Sequence, residues 1–390
     1  MHLARQSALT TCAVAGRHQA PGTQEVHARY IVKAEMSAVR QYWRRVLIRI
    51  VWYSPVRGGR ACAVLAQFQS AASMVCRMIE VPEKFARLAA ELNGPLGTAW
   101  VESLPELVSD LMERWDCAPD GDVMHGGVGL VVPVRYHGSR SGSGDGPAVL
   151  KVSPPHPGNV HEPDAFAAWQ GHGAVRMYER DDARFAILLE RASTQTLASL
   201  DSAEDIARVL GQLSRRLAVP APGHLPRLRD KAGEWEHQLR AGDAELGHSM
   251  SRRTVDAAIA TVRELGASQP DILIHGDLHG GNVLRADREP WLAIDPKGYA
   301  GDPAYDGGNA MKTTMIRVAG ADDPYKAVLR LFDVFAEAAE LDVERVRRWT
   351  QYYAVDAAFW GRRQGFSGVR GGAELEHMVA LCELAAEMLA

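Results

Sequence analysis

One stretch of this 390-residue chain limits its possible folds more than any other. Ile272-Leu273-Ile274 is a short β-branched and apolar run entering the loop His275-Gly276-Asp277-Leu278-His279-Gly280-Gly281-Asn282. Val283-Leu284-Arg285 follows, then the turn residues Asp287-Arg288-Glu289-Pro290, then Trp291-Leu292-Ala293-Ile294 and Asp295. Two apolar runs around such a turn predict a β-hairpin. That hairpin returns Asp295 to the side of Asn282, so strand, loop, hairpin and acid occur in an order that gathers Asp277, Asn282 and Asp295. Asp and Asn before Gly are also ordinary turn residues, but turns alone do not require this order. His275 and His279 are spaced like helical zinc ligands, yet Gly276, Gly280 and Gly281 oppose a helix and no third ligand is evident.

The three side chains match what phosphoryl transfer to a hydroxyl needs. One carboxylate accepts the hydroxyl proton, while an amide oxygen and a second carboxylate hold Mg2+ against the phosphates of ATP. Protein kinases carry the same order as His-Arg-Asp-x-x-x-x-Asn and Asp-Phe-Gly. Here His275-Gly276-Asp277 and Asp295-Pro296-Lys297 stand in those places. The pattern makes Asp277 the candidate base and Asn282 and Asp295 the candidate metal ligands.

A nucleotide-binding half is then expected upstream. Ala148-Val149-Leu150-Lys151-Val152 is an apolar strand with one cation. In isolation such a lysine is a snorkelling surface residue. Ahead of the Asp277 loop it becomes a contact for the α- and β-phosphates, held by Glu162 or Asp164 from the next helical segment. In His125-Gly126-Gly127-Val128-Gly129-Leu130-Val131-Val132, Gly127 and Gly129 are the first two glycines of a phosphate loop, with Val132 where the third is due. A β-hairpin turn would read the same way. The richer glycine run over residues 138–146 suits a flexible connection between strands. Gly308-Asn309-Ala310-Met311-Lys312-Thr313 ends like a Walker A loop but has Met311 where glycine must precede the lysine. Phe185-Ala186-Ile187-Leu188-Leu189-Glu190-Arg191-Ala192 reads as a buried strand leading into a hinge, whose backbone from Glu190 to Ala192 would meet adenine.

These blocks, together with Gly301-Asp302-Pro303-Ala304-Tyr305-Asp306 and Gly171-His172-Gly173-Ala174-Val175-Arg176, resemble the aminoglycoside phosphotransferases, and within them the streptomycin 6-kinase and hydroxyurea kinase branch. The resemblance covers about residues 78–390. It implies an α+β, protein-kinase-like bilobal fold with a small antiparallel sheet in the N-lobe and a mostly helical C-lobe. It further implies ATP with Mg2+ and a small hydroxylated acceptor. By position, Asp277 would be the base, Asn282 and Asp295 the metal ligands, Lys151 the phosphate contact and Glu162 its partner. The incomplete glycine loop departs from the pattern at Gly127 and Gly129. Asp302 and Asp306 are expected to brace the loop after the metal-binding Asp, and no Ala-Pro-Glu segment suggests a protein substrate.

Charge divides the chain. Residues 1–77 hold eleven Lys or Arg against two acids, net +9, and the remainder is net −13. An acidic body suits a cationic aminoglycoside, and equally favours solubility. The basic segment could bind nucleic acid, but the reading preferred here is that residues 1–77 are an extension or start-site artefact, with the natural start at Met78. Residues 78–192 then form the nucleotide-binding N-lobe and residues 193–390 the C-lobe with the acceptor site. Cys12, Cys62 and Cys76 lack metal-like spacing, and Cys117 and Cys382 are too few for a disulfide framework, which suggests a reduced, cytoplasmic protein. No apolar run is long enough to span a bilayer. The partners expected are a small-molecule acceptor but neither nucleic acid nor membrane, for a monomer or weak dimer.

Ser103-Leu104-Pro105-Glu106 looks like a capping-box helix start, with Leu104, Leu107, Val108, Leu111 and Trp115 on one apolar face. Helices over residues 343–360 and 373–389 are expected to wall the acceptor site. Asp356 and Trp360 lie one turn apart there and could hold a substrate cation by charge and ring face, or be ordinary helix chemistry. Three functions fit: a kinase of a streptomycin-like aminoglycoside, a kinase of hydroxyurea or another small hydroxyl compound, and a nucleotide-binding pseudokinase. The last is opposed by the presence of Lys151, Asp277, Asn282 and Asp295 together.

Overall fold

The computed structural model describes residues 79–127, 129–138, 145–364 and 373–390. The assignments made for residues 1–77 lie outside the described residues, as does most of the glycine run between residues 138 and 146.

The chain enters through helix α1 (Glu83–Arg114) and then builds a wholly antiparallel sheet. Strands β1 (Cys117–Pro119), β3 (Leu130–Tyr136), β4 (Gly146–Val152), β6 (Ala186–Glu190) and β5 (Met177–Asp181) lie in that spatial order, with β2 (Met124–His125) paired to β3. The alternation that buries Leu130, Val132 and Val134 of β3 also buries Ala148, Leu150 and Val152 of β4. Those side chains meet Leu104, Val108, Leu111 and Trp115 of α1 and its end, the face expected from the sequence.

The start of α1 differs from expectation. The helix begins after Pro82, breaks at Gly94 (φ 57°) and resumes through Pro95, so Ser103 lies inside it. The Ser103 hydroxyl donates to the Trp100 carbonyl at 2.7 Å instead of capping a helix start. Glycine supplies the left-handed corner, and proline fits the first turn after it. The preceding helical residues Phe85, Leu88, Ala89 and Leu92 already stand at helical spacing, a period that the capping pattern at Ser103 obscured.

Helix α2 (Glu162–Trp169) crosses from the sheet to the second half of the molecule. Its Phe166 and Trp169 pack with Leu217, Leu225, Leu273 and Leu292 in a small core between the two lobes. The Trp169 indole N–H donates to the Leu217 carbonyl at 2.8 Å.

The large lobe is mostly helical. It contains α3 (Ala203–Leu217), α4 (Ala232–Glu245), α5 (Arg252–Thr261), α6 (Pro303–Met315), α7 (Pro324–Ala339), α8 (Val343–Gln364) and α9 (Ala373–Leu389). Helix α3 packs along α7, and α8 lies between α6 and α9. The Gly308–Thr313 segment is interior to α6, which confirms that it is no phosphate loop. Short strands punctuate this lobe. Strand β8 (Ile272–Ile274) joins β7 (Val219–Pro220) and β11 (Tyr299–Ala300), and β9 (Val283–Arg285) pairs with β10 (Trp291–Ala293) as the expected hairpin. Among the described residues no helix is long and apolar enough to cross a membrane.

Candidate active site

Lys151 sits mid-strand on β4, paired across to Val131 and Ile187, and this places its side chain at the mouth between the lobes. Its Nζ donates to Glu162 Oε1 at 2.6 Å and to Asp295 Oδ1 at 2.5 Å. The choice between Glu162 and Asp164 as its partner is thereby resolved. Burial works against the lysine's charge, but the two carboxylates outweigh it and hold its pKa above the usual value. Burial likewise opposes the Asp295 charge, and Lys151 and Lys297 overcome it, so Asp295 lies well below the usual carboxylate range.

The catalytic loop is fixed from below. Asp306, in the first turn of α6, accepts the backbone N–H groups of His275 and Gly276, each at 2.7 Å. Asp302 caps the same helix through the Ala304 N–H at 3.0 Å. Asp306 therefore braces the start of the catalytic loop and Asp302 caps its own helix, whereas both were expected to brace the loop after Asp295. The hairpin closes as expected: Ile294 N–H donates to the Asn282 carbonyl at 2.9 Å. Asp295 itself adopts φ 63°, a conformation uncommon for residues other than glycine. The neighbouring bond from Lys297 N–H to the His275 carbonyl, 2.7 Å, helps hold this turn.

Asp277 is partly exposed. Asn309 Nδ2 donates to its Oδ1 at 3.0 Å, and Lys297 Nζ lies 3.7 Å from its Oδ2. The Asn282 side-chain amide donates to the Asp277 backbone carbonyl at 3.0 Å, which orients its amide oxygen. His275 is fully buried and flanked by the Trp169 ring. Burial drives its pKa down to about 4, so the imidazole is neutral. His275 is thus a structural link, not a metal ligand or a base.

A cleft of about 460 Å³ runs between the lobes. Gly127, Gly129, Lys151, Glu162, Asn282 and Asp295 all line it, as do Glu190 and Ala192 at the hinge. The turn from β2 to β3 is a hairpin closed by Gly126 N–H to the Gly129 carbonyl at 2.9 Å, which is the alternative reading of this stretch. The expectation for Glu190 concerned its backbone alone, and its side chain has a part of its own. Its carboxylate accepts from the Arg176 backbone N–H at 3.0 Å and from Arg288 Nη2 at 2.9 Å, tying the hinge to the β9–β10 turn. Its own N–H donates to the Arg176 carbonyl at 2.8 Å.

Asp356 and Trp360 separate in character. Asp356 is half-buried, and its pKa is raised by burial against the lowering charges of Lys312 and Arg363. Trp360 is 44 % exposed. Two residues with no role assigned from sequence join the site, Asn309 and Lys297. The signal for Lys297 was available, a cation two residues beyond a metal-binding acid. Asn309 carried none, because only the packing of α6 shows which of its faces meets Asp277.

A small antiparallel sheet holding a lysine–glutamate pair stands over a helical lobe that presents Asn282 and Asp295 to one cleft, with Asp277 bonded to Asn282. Fold and site together define a protein-kinase-like phosphotransferase acting on a hydroxyl group. More narrowly, the chain belongs to the aminoglycoside/hydroxyurea antibiotic resistance kinases, whose family model matches residues 114–365. It is 36 % identical over 292 residues to a streptomycin 6-kinase of Streptomyces glaucescens, covering 74 % of this chain and 93 % of that protein. It is 33 % identical over 293 residues to a hydroxyurea phosphotransferase of Kitasatospora aureofaciens, covering 74 % and 82 %. Among solved structures, an amicoumacin kinase in complex with AMP-PNP, Ca2+ and its ligand superposes with a TM-score of 0.50 at 12 % identity, over 74 % of this chain and 95 % of that one. That likeness supports the fold.

Proposed function

We propose that the chain transfers the γ-phosphoryl group of ATP to a hydroxyl of a streptomycin-like aminoglycoside, working in the cytoplasm as a monomer or weak dimer. The observation that supports this most is the Lys151–Glu162–Asp295 cluster on one cleft with Asn282, whose side chain in turn bonds the backbone of Asp277. The similarity to streptomycin 6-kinases directs the choice of acceptor.

In this reading the acceptor hydroxyl lies against Asp277, whose carboxylate takes its proton as the new oxygen–phosphorus bond forms and ADP leaves. Asn309 fixes the carboxylate so that its other oxygen, Oδ2, meets the hydroxyl. Lys297, beside that oxygen, faces the negative charge of the moving phosphoryl group. Lys151 holds the α- and β-phosphates, and the hinge backbone from Glu190 to Ala192 meets adenine, with Gly127 and Gly129 over the phosphates. The oxygen donors of Asn282 and Asp295 suit a hard, octahedral ion and would hold Mg2+. That ion, when bound, neutralises phosphate charge and aligns the transferring group. The acidic body, net −13 over residues 78–390, favours approach of a polycationic acceptor. Asp356 is the carboxylate proposed to meet an acceptor cation, with Trp360 at the rim. The phosphate added to the drug brings charge and bulk that oppose binding at the drug's target.

The test is ADP release from Mg-ATP with and without streptomycin, beside Asp277→Asn. Streptomycin-dependent release that disappears in the variant is the expected result. Release stimulated by hydroxyurea and not by streptomycin would move the assignment to the second acceptor class, which the 33 % identical relative brings into view. Release unaffected by Asp277→Asn would sink the assignment of the base.

A further inference from the structure

Outside the cleft, two histidines and an aspartate from separate parts of the chain converge on one point. His161 precedes α2, Asp164 lies in the first turn of α2, and His224 reaches over from the segment after β7. Asp164 Oδ2 is 3.0 Å from His161 Nδ1 and 3.2 Å from His224 Nε2, and the three atoms all lie within 4.8 Å of one another. We propose that His161, Asp164 and His224 form a binding site for a zinc-like transition metal ion that clamps the Glu162 helix to the large lobe.

The donor set fits such an ion. Two imidazole nitrogens and a carboxylate oxygen are borderline-soft ligands that suit Zn2+ and disfavour Mg2+. Ligand atoms about 2.1 Å from a tetrahedral ion stand roughly 3.4 Å apart. The observed separations of 3.0 and 3.2 Å therefore need to open by only a few tenths of an ångström. His224 is 61 % exposed along its side chain, which leaves a fourth position to water.

The outer partners are also in place. Arg180 Nη1 donates to the other oxygen of Asp164 at 3.0 Å, and Arg180 is itself neutralised by two bonds of 2.7 Å to Asp182. A second oxygen held in this way fixes the direction of the first, as in known metal sites. Burial opposes the Asp164 charge, but His161, Arg180 and His224 together keep the group ionised.

The position gives the clamp its effect. His161 immediately precedes Glu162, the partner of Lys151. Behind it lies Gly298, at φ 64°, where a Cβ would come within 2.5 Å of the His161 carbonyl oxygen. Only glycine lets the loop that carries Asp295 press this closely on the start of α2. An ion at His161, Asp164 and His224 would hold α2 against that loop from the outer side.

The experiment uses the full chain, stripped with a chelator and equilibrated with Zn2+ in the presence of excess Mg2+, beside His224→Ala. His224 is exposed, so the substitution leaves packing intact. Equilibrium dialysis should show one more Zn2+ per chain in the unsubstituted protein, with at least about a tenfold weaker affinity in the variant. Thermal melting should rise with Zn2+ in the unsubstituted protein and rise less in His224→Ala. Co2+ in place of Zn2+ should give the visible absorption of a tetrahedral site, absent from the variant. Equal Zn2+ uptake by the two proteins, or uptake by neither, would overturn the proposal and leave Asp164 as a hydrogen-bonding partner of the two imidazoles alone.

Discussion

Under the catalytic turn, the imidazole of His275 joins two backbone segments that lie far apart in sequence. Its Nδ1 accepts from the Asp277 N–H at 3.2 Å and its Nε2 donates to the Ile294 carbonyl at 2.8 Å. Only the neutral ring can do both, and burial accordingly lowers its pKa from 6.5 to about 4. The unfolded chain takes up a proton near pH 6.5 that the folded chain refuses until about pH 4, so stability present above this window is lost as the pH falls through it. The loss is worth at most roughly 3 kcal/mol. His275→Gln keeps a donor and an acceptor without the proton, and denaturant titrations should show a shallower loss between those pH values in the variant. Parallel curves would remove His275 as the cause. Lys297 gives a second expectation, because its ammonium group, 3.7 Å from Asp277 Oδ2, is proposed to stabilise the moving phosphoryl group more than bound ATP. Lys297→Met should lower kcat by about 10²-fold, with the KM for ATP changed far less, as steady-state kinetics would show. An unchanged kcat would exclude Lys297 from the reaction. At this scale the gathering of Lys151, Asn282 and Asp295 on one cleft, with Asp277 bonded to Asn282, was legible from their order along the chain. Asn309 was not legible, since a helical amide reveals its partner only once the helix is packed. The use of Glu190 was missed for a similar reason: the side chain turned to Arg288, from a turn 98 residues away.

Among the elements, α6 carries the braces of the active site, and its own N-terminus depends on Asp302. One oxygen of Asp302 caps the helix at the Ala304 N–H, while the other accepts from Arg345 Nε at 2.5 Å and from the buried Trp349 indole at 3.0 Å. Asp302→Ala removes the cap and strands two donors, so a loss of about 3 kcal/mol is expected from urea unfolding. Asp302→Asn should recover the part due to capping. A loss near zero for Asp302→Ala would show that α6 does not need this terminus. The hairpin of β9 and β10 and the helices of the C-terminal wall were legible from period and turn chemistry. The start of α1 was not. Its capping pattern at Ser103 was locally plausible, but the helix had already begun twenty residues earlier, in a segment with its own apolar spacing and a glycine corner.

At the scale of the whole molecule, the lobes are joined by the apolar seam around Phe166 and Trp169 and by the Glu190–Arg288 tie, both within residues 78–390. A protein limited to residues 78–390 is therefore proposed to keep kcat within about twofold of the full chain, since a unit with its own core folds and works by itself. A large deficit in that protein would give residues 1–77 a part in activity. The bilobal plan was readable because each lobe announces its own chemistry, whereas the pocket that selects the acceptor depends on how α8 and α9 lie against the loop. The resting contacts of Lys151 carry one more consequence. The same ammonium group that is to hold phosphate already has two carboxylates at 2.6 and 2.5 Å. On the proposed reading, the acids that position Lys151 would also keep its charge matched once ADP has left, so that an emptied cleft holds no bare cation.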